Sequence, residues 1–473
     1  MSARQPIDPD THADPVDALD LCPPEVAEEE EEEDDPLPPM IGRYRVIARL
    51  GEGATSEVFL AEDDFRQQRV AVKQVRLATS ANSLDNHYRV HFFAAEAALA
   101  GQLNHPNVVQ IFDAVADPLR PYLVMEHVSG DTLRRYCQAN ALLSLQQIVE
   151  VGFKCAMALD YVARRGLIHR DVKPANILVE LDQAGELVNV KLSDFGSVFD
   201  SRSERTQVFR VGSLAYMAPE QLDGGPLQVQ TDMYALAAVL YHLVAGRPPF
   251  DAPTQAAVMN QIYHADPPPL AGLRHGVPAR MQALLARAMA KDPAQRPATW
   301  QAFADEWALL VVNREIPLAS SQDVLDSERF SLLRPLDFFA DFGDIELWEV
   351  VHRGVWQRHA HGDALYRKGD TGRSFHIVTK GRIDVYRDGV RVACLGAGHS
   401  VGEMAYLAPS DELRIHQADV LVAQTATTLA FTPDSLDRLS PGTRHGFDRA
   451  FIRVLVRRLH AAHEALAHPR RIL

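Results

Sequence analysis

The sequence predicts an α+β chain with two folded parts, a larger one of strands and helices and a smaller antiparallel β-barrel with flanking helices. Residues 44–50, 58–61 and 70–73 are short strand-like runs, and helical patterns follow them. Beyond residue 362, short apolar runs are separated by recurring glycines, which is typical of a small barrel. The 473 residues, 47% of them hydrophobic, are enough for two or three domains with cores of their own.

The strongest motif of the larger part is the loop 169–176, with the sequence His-Arg-Asp-Val-Lys-Pro-Ala-Asn. Asp194, followed by Phe and Gly, comes 18 residues after Asn176. Asp171 is the candidate base that orients a hydroxyl acceptor, and Lys173 is placed to reach a γ-phosphate. Asn176 and Asp194 offer the oxygen ligands that Mg²⁺ prefers. The motif therefore predicts phosphoryl transfer, in which positioning and charge neutralisation provide most of the catalysis.

Upstream, a glycine-containing turn joins the first two predicted strands. Its glycines would let backbone N–H groups approach phosphates closely. The third glycine of the usual G-x-G-x-x-G pattern is replaced by Ser56. The candidate nucleotide-binding residues of this turn are Leu50, Gly51, Glu52, Gly53, Ala54, Thr55, Ser56 and Val58.

Lys73 ends the third predicted strand and is the candidate partner of the α- and β-phosphates. A helix predicted over residues 91–103 carries Glu96 in an apolar, alanine-rich setting. A carboxylate there is well placed to form an ion pair with Lys73 and hold it.

With these motifs in this order, residues 43–312 resemble a protein kinase catalytic domain of the bacterial serine/threonine type. The resemblance implies the two-lobed kinase fold, with ATP and Mg²⁺ as cofactors and proteins with Ser or Thr as substrates. Lys173 is similar to the residue that serine/threonine kinases carry there. The resemblance also implies adenine contacts from the backbone of Glu126 and Val128, and a structural ion pair between Glu220 and Arg296.

Arg170 precedes the base, and in this family such an arginine often pairs with a phosphorylated residue of the activation loop. Thr206 is the candidate phosphorylation site, ahead of Ser201, Ser203 and Ser213. The alternative function is that of a pseudokinase, a scaffold whose domains only bind nucleotide or protein partners. Against it, every catalytic position of the family pattern is present in this sequence.

Most of the formal net charge of −15 comes from residues 1–40, which hold fourteen Asp or Glu and one Arg. We expect this segment to be disordered, and residues 313–334 to link or dock the two folded parts. The four cysteines are scattered, and neither a signal peptide nor a membrane span is evident in the sequence. We therefore expect a cytoplasmic protein in a reducing compartment, with no nucleic-acid partner.

Residues 335–465 carry a predicted helix over 345–352, strands over 375–378, 383–386 and 392–395, and a final helix over 447–467. With the segment Val-Gly-Glu-Met-Ala that contains Glu403, this pattern resembles a cyclic-nucleotide-binding domain, a small antiparallel jelly roll.

The resemblance implies that Glu403 binds a ribose hydroxyl and that an arginine holds the cyclic phosphate. The expected arginine position falls on His416 or Gln417, and only an insertion would bring Arg414 into register. The alternatives are a site for cyclic AMP or cyclic GMP at Glu403 and Arg414, or a ligand-free docking or dimerisation module.

Overall fold

The computed structural model describes residues 37–53, 56–76, 83–117, 119–200, 214–316 and 325–467. Some predicted features lie outside these ranges: the acidic run 28–35, Ala54, Thr55 and the phosphorylation candidates Ser201, Ser203, Thr206 and Ser213. No helix within the described residues is both long and apolar enough to cross a membrane.

The small lobe is built on a six-stranded antiparallel sheet with the strand order β1-β2-β3-β4-β6-β5. Alternate residues of its strands, such as Phe59 and Ala61, point into a core that also contains Tyr44 and Val124. The strands are β1 Met40–Ile41, β2 Tyr44–Glu52, β3 Ser56–Asp63, β4 Gln68–Val75, β5 Ile111–Val115 and β6 Tyr122–Glu126.

The helix of this lobe, α1, spans Ser83–Ala97, so the predicted range 91–103 was wrong at both ends. Turns follow the helix, and Gly101 adopts a left-handed conformation with φ of +71°. The N–H of Gly101 then donates to the carbonyl of Ile111, which turns the chain back towards β5 before Leu103. Glu96 nevertheless lies on α1, as predicted.

The large lobe surrounds two helices that are buried along most of their length, α2 and α4. A capping box at Ser144 and Gln147 starts α2, and its buried face packs on α4 and α7. The helices are α2 Leu145–Ala163, α3 Pro219–Leu222, α4 Val229–Ala245, α5 Gln255–His264, α6 Ala279–Ala288 and α7 Trp300–Val312. The short strands are β7 Asp131–Thr132, β8 Leu167–Ile168, β9 Ile177–Leu181, β10 Leu187–Leu192 and β11 Phe199–Asp200.

The segment between the two folded parts forms a helix, α8 Asp326–Leu333, that docks on the large lobe. Phe330 of this helix packs against Phe153 of α2, with ring centroids 5.9 Å apart. Trp348, from the helix α9 Asp344–Arg353, completes the aromatic cluster at 4.9 Å from Phe330. The C-terminal part therefore shares a continuous apolar core with the large lobe.

The C-terminal part is an antiparallel barrel-like sheet ordered β12-β17-β14-β15, with β13 paired to β17 and β16 to β14. Two predicted strands, 375–378 and 383–386, form the single strand β14, which has a bulge at Gly381. Gly381 has a φ of +89°, and a Cβ at this position would lie 2.3 Å from the Thr425 carbonyl oxygen. The strands are β12 Val355–His359, β13 Ala364–Tyr366, β14 Phe375–Arg387, β15 Val390–Leu395, β16 Ser400–Val401 and β17 Asp419–Phe431. The helices after α9 are α10 Glu403–Tyr406, α11 Pro433–Asp437 and α12 Pro441–Ala467, and α12 begins earlier than predicted.

The buried His376 makes the stability of the barrel sensitive to acid. Its side chain is 8% exposed, and its Nδ1 lies 3.0 Å from the Thr428 hydroxyl. Burial, helped by the neighbouring His359 and His416, lowers the pKa of His376 to about 4. Because the unfolded chain takes up this proton near pH 6.5 and the folded chain does not, stability is lost as the pH falls from about 6.5 towards 4.

We therefore expect this one group to cost about 2 kcal/mol of unfolding free energy between pH 7 and pH 5. Urea unfolding at both pH values, compared between the wild type and His376→Gln, measures the contribution. An identical pH dependence in the two proteins would show that His376 is not the responsible group.

Candidate active site

Lys73 lies between two carboxylates at the boundary of the two lobes. It is on β4, opposite Val58 of β3 and Leu123 of β6, so its backbone is fixed on both sides. Its Nζ is 2.8 Å from Glu96 Oε2 and 2.9 Å from Asp194 Oδ1, and its side chain is 17% exposed. The predicted ion pair between Lys73 and Glu96 is confirmed, and Asp194 joins it.

The electrostatics of this triad stabilise the charge of the lysine. Burial disfavours the ammonium group, but the nearby Asp194 and Glu96 outweigh it and raise the pKa of Lys73 above its ordinary value. Burial also raises the pKa of Glu96, while Lys73 partly opposes that shift. A fixed positive charge at this position is suited to neutralising phosphate oxygens.

The catalytic-loop residues converge on Asp171, which is buried. Lys173 Nζ donates to Asp171 Oδ2 at 2.7 Å. Asn176 Nδ2 donates to the Asp171 carbonyl oxygen at 2.8 Å and to Oδ2 at 3.1 Å. Because Asn176 uses its nitrogen for these bonds, its amide oxygen remains the group suited to a cation. The three predicted catalytic residues therefore form one hydrogen-bonded group.

Asp232, near the start of α4, fixes the main chain of this loop by accepting two of its N–H groups. Its Oδ2 accepts from the His169 N–H at 2.7 Å, and its Oδ1 accepts from the Arg170 N–H at 2.8 Å. Arg170 adopts a left-handed conformation with φ of +66°, and so does Asp194, with φ of +62°. Non-glycine residues rarely do this, and such strain concentrates at functional sites. Burial raises the pKa of Asp232, and His169 and the two N–H groups oppose the shift.

The glycine turn is held by an ion-pair network that the sequence did not reveal. Gly53 N–H donates to the Ser56 carbonyl at 2.8 Å and closes the hairpin between β2 and β3. Arg76, just after β4, contacts Glu52 Oε1 at 2.5 Å and Glu57 Oε1 at 2.7 Å. Arg76 therefore ties the turn to the strand that carries Lys73.

Glu126, the last residue of β6, begins the connector between the two lobes. Its N–H donates to the Gln110 carbonyl at 2.9 Å, and its Oε2 pairs with Lys191 Nζ at 2.9 Å. Val128 follows on the connector, where its carbonyl accepts from the Gly130 N–H at 3.0 Å. The pairing of Glu126 with Lys191 of β10 was not predicted, and it fixes the connector on the large lobe.

The predicted pair of Glu220 and Arg296 is confirmed as a buried, bidentate ion pair. Arg296 donates to Glu220 Oε1 at 2.7 Å and to Oε2 at 2.9 Å. Thr231 Oγ1 also donates to Glu220 Oε1, at 2.9 Å. This contact joins α3 to the end of the large lobe, which is a structural role.

The second candidate site lies in the barrel, where Glu403 starts α10 and is buried. Arg458 of α12 donates to Glu403 Oε1, and among the described residues no partner lies within hydrogen-bonding distance of Glu403 Oε2. Arg414 is half-buried, and its carbonyl accepts from the Gly372 N–H at 2.9 Å. His416 is buried and stacks on Tyr366 with ring centroids 3.9 Å apart.

Comparisons with known proteins identify the same two folded parts of the chain. A family profile for the protein kinase domain matches residues 44–308, and one for the cyclic nucleotide-binding domain matches residues 356–440. The chain is 36% identical over 301 residues to the serine/threonine-protein kinase PknB of Mycobacterium tuberculosis (strain ATCC 25177 / H37Ra), which covers 62% of this chain and 46% of that protein. It is 32% identical over 293 residues to the serine/threonine-protein kinase PrkC of Bacillus subtilis (strain 168), covering 62% of this chain and 42% of that protein.

The chain spans less than half the length of these curated relatives. The profile match nevertheless covers more than half of this chain, and it includes the triad of Lys73, Glu96 and Asp194. The C-terminal match coincides with the antiparallel sheet. The chain therefore belongs to the protein kinase family, with a cyclic-nucleotide-binding-like domain after the kinase fold.

Proposed function

We propose that this chain is an active, ATP-dependent serine/threonine protein kinase, with a kinase domain over residues 43–312 and a regulatory domain over 335–465. The observation that carries the proposal is the position of Lys73 within 3 Å of both Glu96 and Asp194. Together with the hydrogen-bonded group of Asp171, Lys173 and Asn176, the triad supplies the charged groups that phosphoryl transfer uses, which a scaffold that only bound partners would not need. Groups whose pKa values are shifted by burial and by charged partners concentrate at functional sites, and this favours a function that uses the triad.

The candidate site residues have the following roles in the proposed reaction. Asp171 orients the acceptor hydroxyl and takes its proton, while Lys173 neutralises the charge that moves with the phosphoryl group. Lys73 holds the α- and β-phosphates, and backbone groups of Glu126 and Val128 hold the adenine. The turn from Leu50 to Val58 covers the phosphates with its N–H groups.

The donor set fits magnesium. Asn176 and Asp194 supply an amide oxygen and a carboxylate, both hard ligands. In the described ranges, no group of three or more His, Cys, Asp or Glu could hold a metal ion. A Mg²⁺ ion held by Asn176 and Asp194 would supply neutralisation of the phosphate charge.

The acceptor is tested by incubating the protein with γ-labelled Mg-ATP and a mixed Ser, Thr and Tyr peptide library. We expect label on phosphoserine and phosphothreonine after acid hydrolysis. Label on phosphotyrosine alone would contradict the assignment of the acceptor, and an unlabelled library would contradict the proposed activity.

We also propose that the kinase phosphorylates itself at Thr206, and that Arg170 receives this phosphate. Arg170 Nε donates to the Ser197 carbonyl at 2.7 Å, so its guanidinium faces the start of the segment that leads to Thr206. A doubly charged phosphate would give it a strong bidentate partner. Mass spectrometry of the active protein tests this, and the absence of phosphate anywhere in residues 197–213 would contradict it.

Removing the charge of Glu96 is expected to weaken the positioning of Lys73. In Glu96→Gln the hydrogen bond becomes neutral on the acceptor side, which costs about 1–2 kcal/mol of transition-state stabilisation. We expect kcat/KM for Mg-ATP to fall about tenfold. Steady-state kinetics measure the fall, with Glu464→Gln, an exposed carboxylate of α12, as the control that leaves kcat/KM unchanged.

Binding of a cyclic nucleotide by the barrel is a second candidate function, favoured by the Oε2 of the buried Glu403, for which the described residues supply no hydrogen-bond partner. A ribose hydroxyl would supply the missing donor. Against tight binding, His416 lies near the expected position of the phosphate-binding arginine, and burial lowers its pKa, so it provides no fixed positive charge.

Calorimetry tests this second function directly. We expect weak binding of cyclic AMP or cyclic GMP, lost in Glu403→Gln and strengthened in His416→Arg. No heat with either nucleotide at millimolar concentration, in the wild type and in His416→Arg alike, would decide for a ligand-free module.

A further inference from the structure

A cavity of about 510 Å³, lined by neither Glu403 nor Arg414, lies where three parts of the C-terminal domain meet. Arg458, which pairs with Glu403, is part of its lining. One wall is the chain just after α8, from Pro335 to Phe338. The second wall is the turn 397–399 between β15 and β16 together with Ser400 of β16, and the third is α12. The volume is within the range of pockets that hold small organic molecules.

The charged groups that line this cavity are mainly cationic. Arg453, Arg457 and Arg458 line it from α12, and Asp337 is the carboxylate in the lining. His399 adds a further nitrogen-bearing side chain. Apolar contacts come from Leu336, Phe338, Val454 and Ala461. The lining therefore combines guanidinium groups with an apolar surface.

Each arginine makes protein contacts that use only some of its five N–H donors. Arg453 bonds to Asp341 at 3.0 Å and to the Phe338 carbonyl at 3.3 Å. Arg457 pairs with Asp337, and Arg458 pairs with Glu403 and donates to the Ser400 carbonyl at 2.9 Å. Since the guanidinium groups are already oriented, a ligand would lose less entropy in binding to them.

Ser400 gives an independent indication of a ligand. The residue lines the cavity and is 1% exposed, yet within the described ranges its hydroxyl has no hydrogen-bond partner. Buried hydroxyls are satisfied in most proteins, by protein, water or ligand. An oxygen of a bound anion would satisfy this one after a small shift of residues 397–400 that exposes the hydroxyl to the cavity.

We propose that this cavity is a binding site for a small organic anion, with a phosphate or sulfonate group on the arginines and an apolar part against Leu336 and Val454. The ligand would join α12 to the chain that follows α8. Because α8 docks on the large lobe through Phe330, such a ligand would act at the joint between the two domains.

The probe for this site is 8-anilinonaphthalene-1-sulfonate, an anion with an apolar body whose fluorescence rises in apolar surroundings. The full chain is titrated in the presence of saturating Mg-ADP, which blocks the cleft between the kinase lobes. Ala461→Trp fills the cavity and Arg457→Gln removes one cation, while Ile452→Trp places the same bulk on an exposed position away from the cavity. Circular dichroism melting shows that the variants are folded.

We expect one site in the wild type and in Ile452→Trp, and an affinity at least tenfold lower in Ala461→Trp and Arg457→Gln. Phenyl phosphate should displace the probe, and the neutral benzyl alcohol should not. Equal affinity in the wild type and Ala461→Trp, displacement by both compounds alike, or no fluorescence change in the wild type would overturn the proposal. None of these results depends on kinase activity.

Discussion

Replacing Lys73 with methionine is expected to lower phosphate transfer about 100- to 1,000-fold, since it removes a preorganised charge from the reacting phosphates. The change also leaves Glu96 and Asp194 facing each other without the ammonium group that now lies within 3 Å of both. Asp194 would then be poorly oriented for a metal ion. Initial rates with labelled Mg-ATP measure the loss.

The control for this variant is Lys380→Met, an exposed lysine on β14 of the barrel. It removes the same charge from the chain without touching the cleft, and its activity should equal that of the wild type. A Lys73→Met protein that is folded and retains more than a tenth of the wild-type rate would contradict the role given to Lys73.

Removing the charge of Lys154 is expected to lower the free energy of unfolding by about 3–5 kcal/mol. This lysine of α2 is 2% exposed, and its Nζ lies 3.0 Å from Asp326 of α8 and 3.7 Å from Glu150. The Ser327 N–H also donates to Glu150, at 3.1 Å. In Lys154→Met the buried Glu150 would lose its cation, and Asp326 would keep Arg329 at 3.5 Å and His352 at 3.3 Å. Leaving a buried carboxylate without its cation is the costly way to break a buried ion pair.

Urea unfolding followed by tryptophan fluorescence measures this loss, because Trp348 lies fully buried in the same junction. The matched control is Arg164→Ala, whose ion pair with Asp344 also joins α2 to the C-terminal part, at 2.8 Å, but with a half-exposed arginine. We expect that variant to lose about 1 kcal/mol or less. Equal losses in the two variants would show that burial of the charge does not decide the effect.

This junction also gives the C-terminal domain a physical route to the active site. The helix α2 ends at Ala163, and the catalytic loop begins six residues later at His169. A shift of α8 on α2 would therefore act on the element that leads into the loop of Asp171. These contacts hold the start of the C-terminal part on the large lobe.

Much of the active site could be predicted because its motifs are local in the sequence. Asp171, Lys173 and Asn176 lie within six residues, and their hydrogen bonds form inside one loop. The pair of Lys73 and Glu96 was predicted from the strand that ends in Lys73 and from the apolar helix that carries Glu96. Asp194, which is 121 residues after Lys73, also contacts this lysine. Only the folded structure shows that the three side chains meet.

The contacts that were missed join residues far apart whose local sequence gives no signal. Lys154 lies in a helix whose sequence is mostly apolar, and its partner Asp326 is 172 residues away. Arg458 is one of several basic residues on α12, and nothing near it indicates Glu403 as its partner. The C-terminal end of α1 was missed because Gly101, in the turns after the helix, bonds to Ile111 of β5, which is distant in sequence.

The most direct test of the central claim compares the wild type with Asp171→Asn in one assay of label transfer from Mg-ATP to a Ser/Thr peptide library. Asparagine keeps the shape of the side chain but cannot take the acceptor proton, so the rate should fall about 100- to 10,000-fold. The control Asp251→Asn changes an exposed carboxylate of the same lobe and should leave the rate unchanged. Equal label transfer by the wild type and Asp171→Asn would contradict catalysis at this site and support the scaffold function instead.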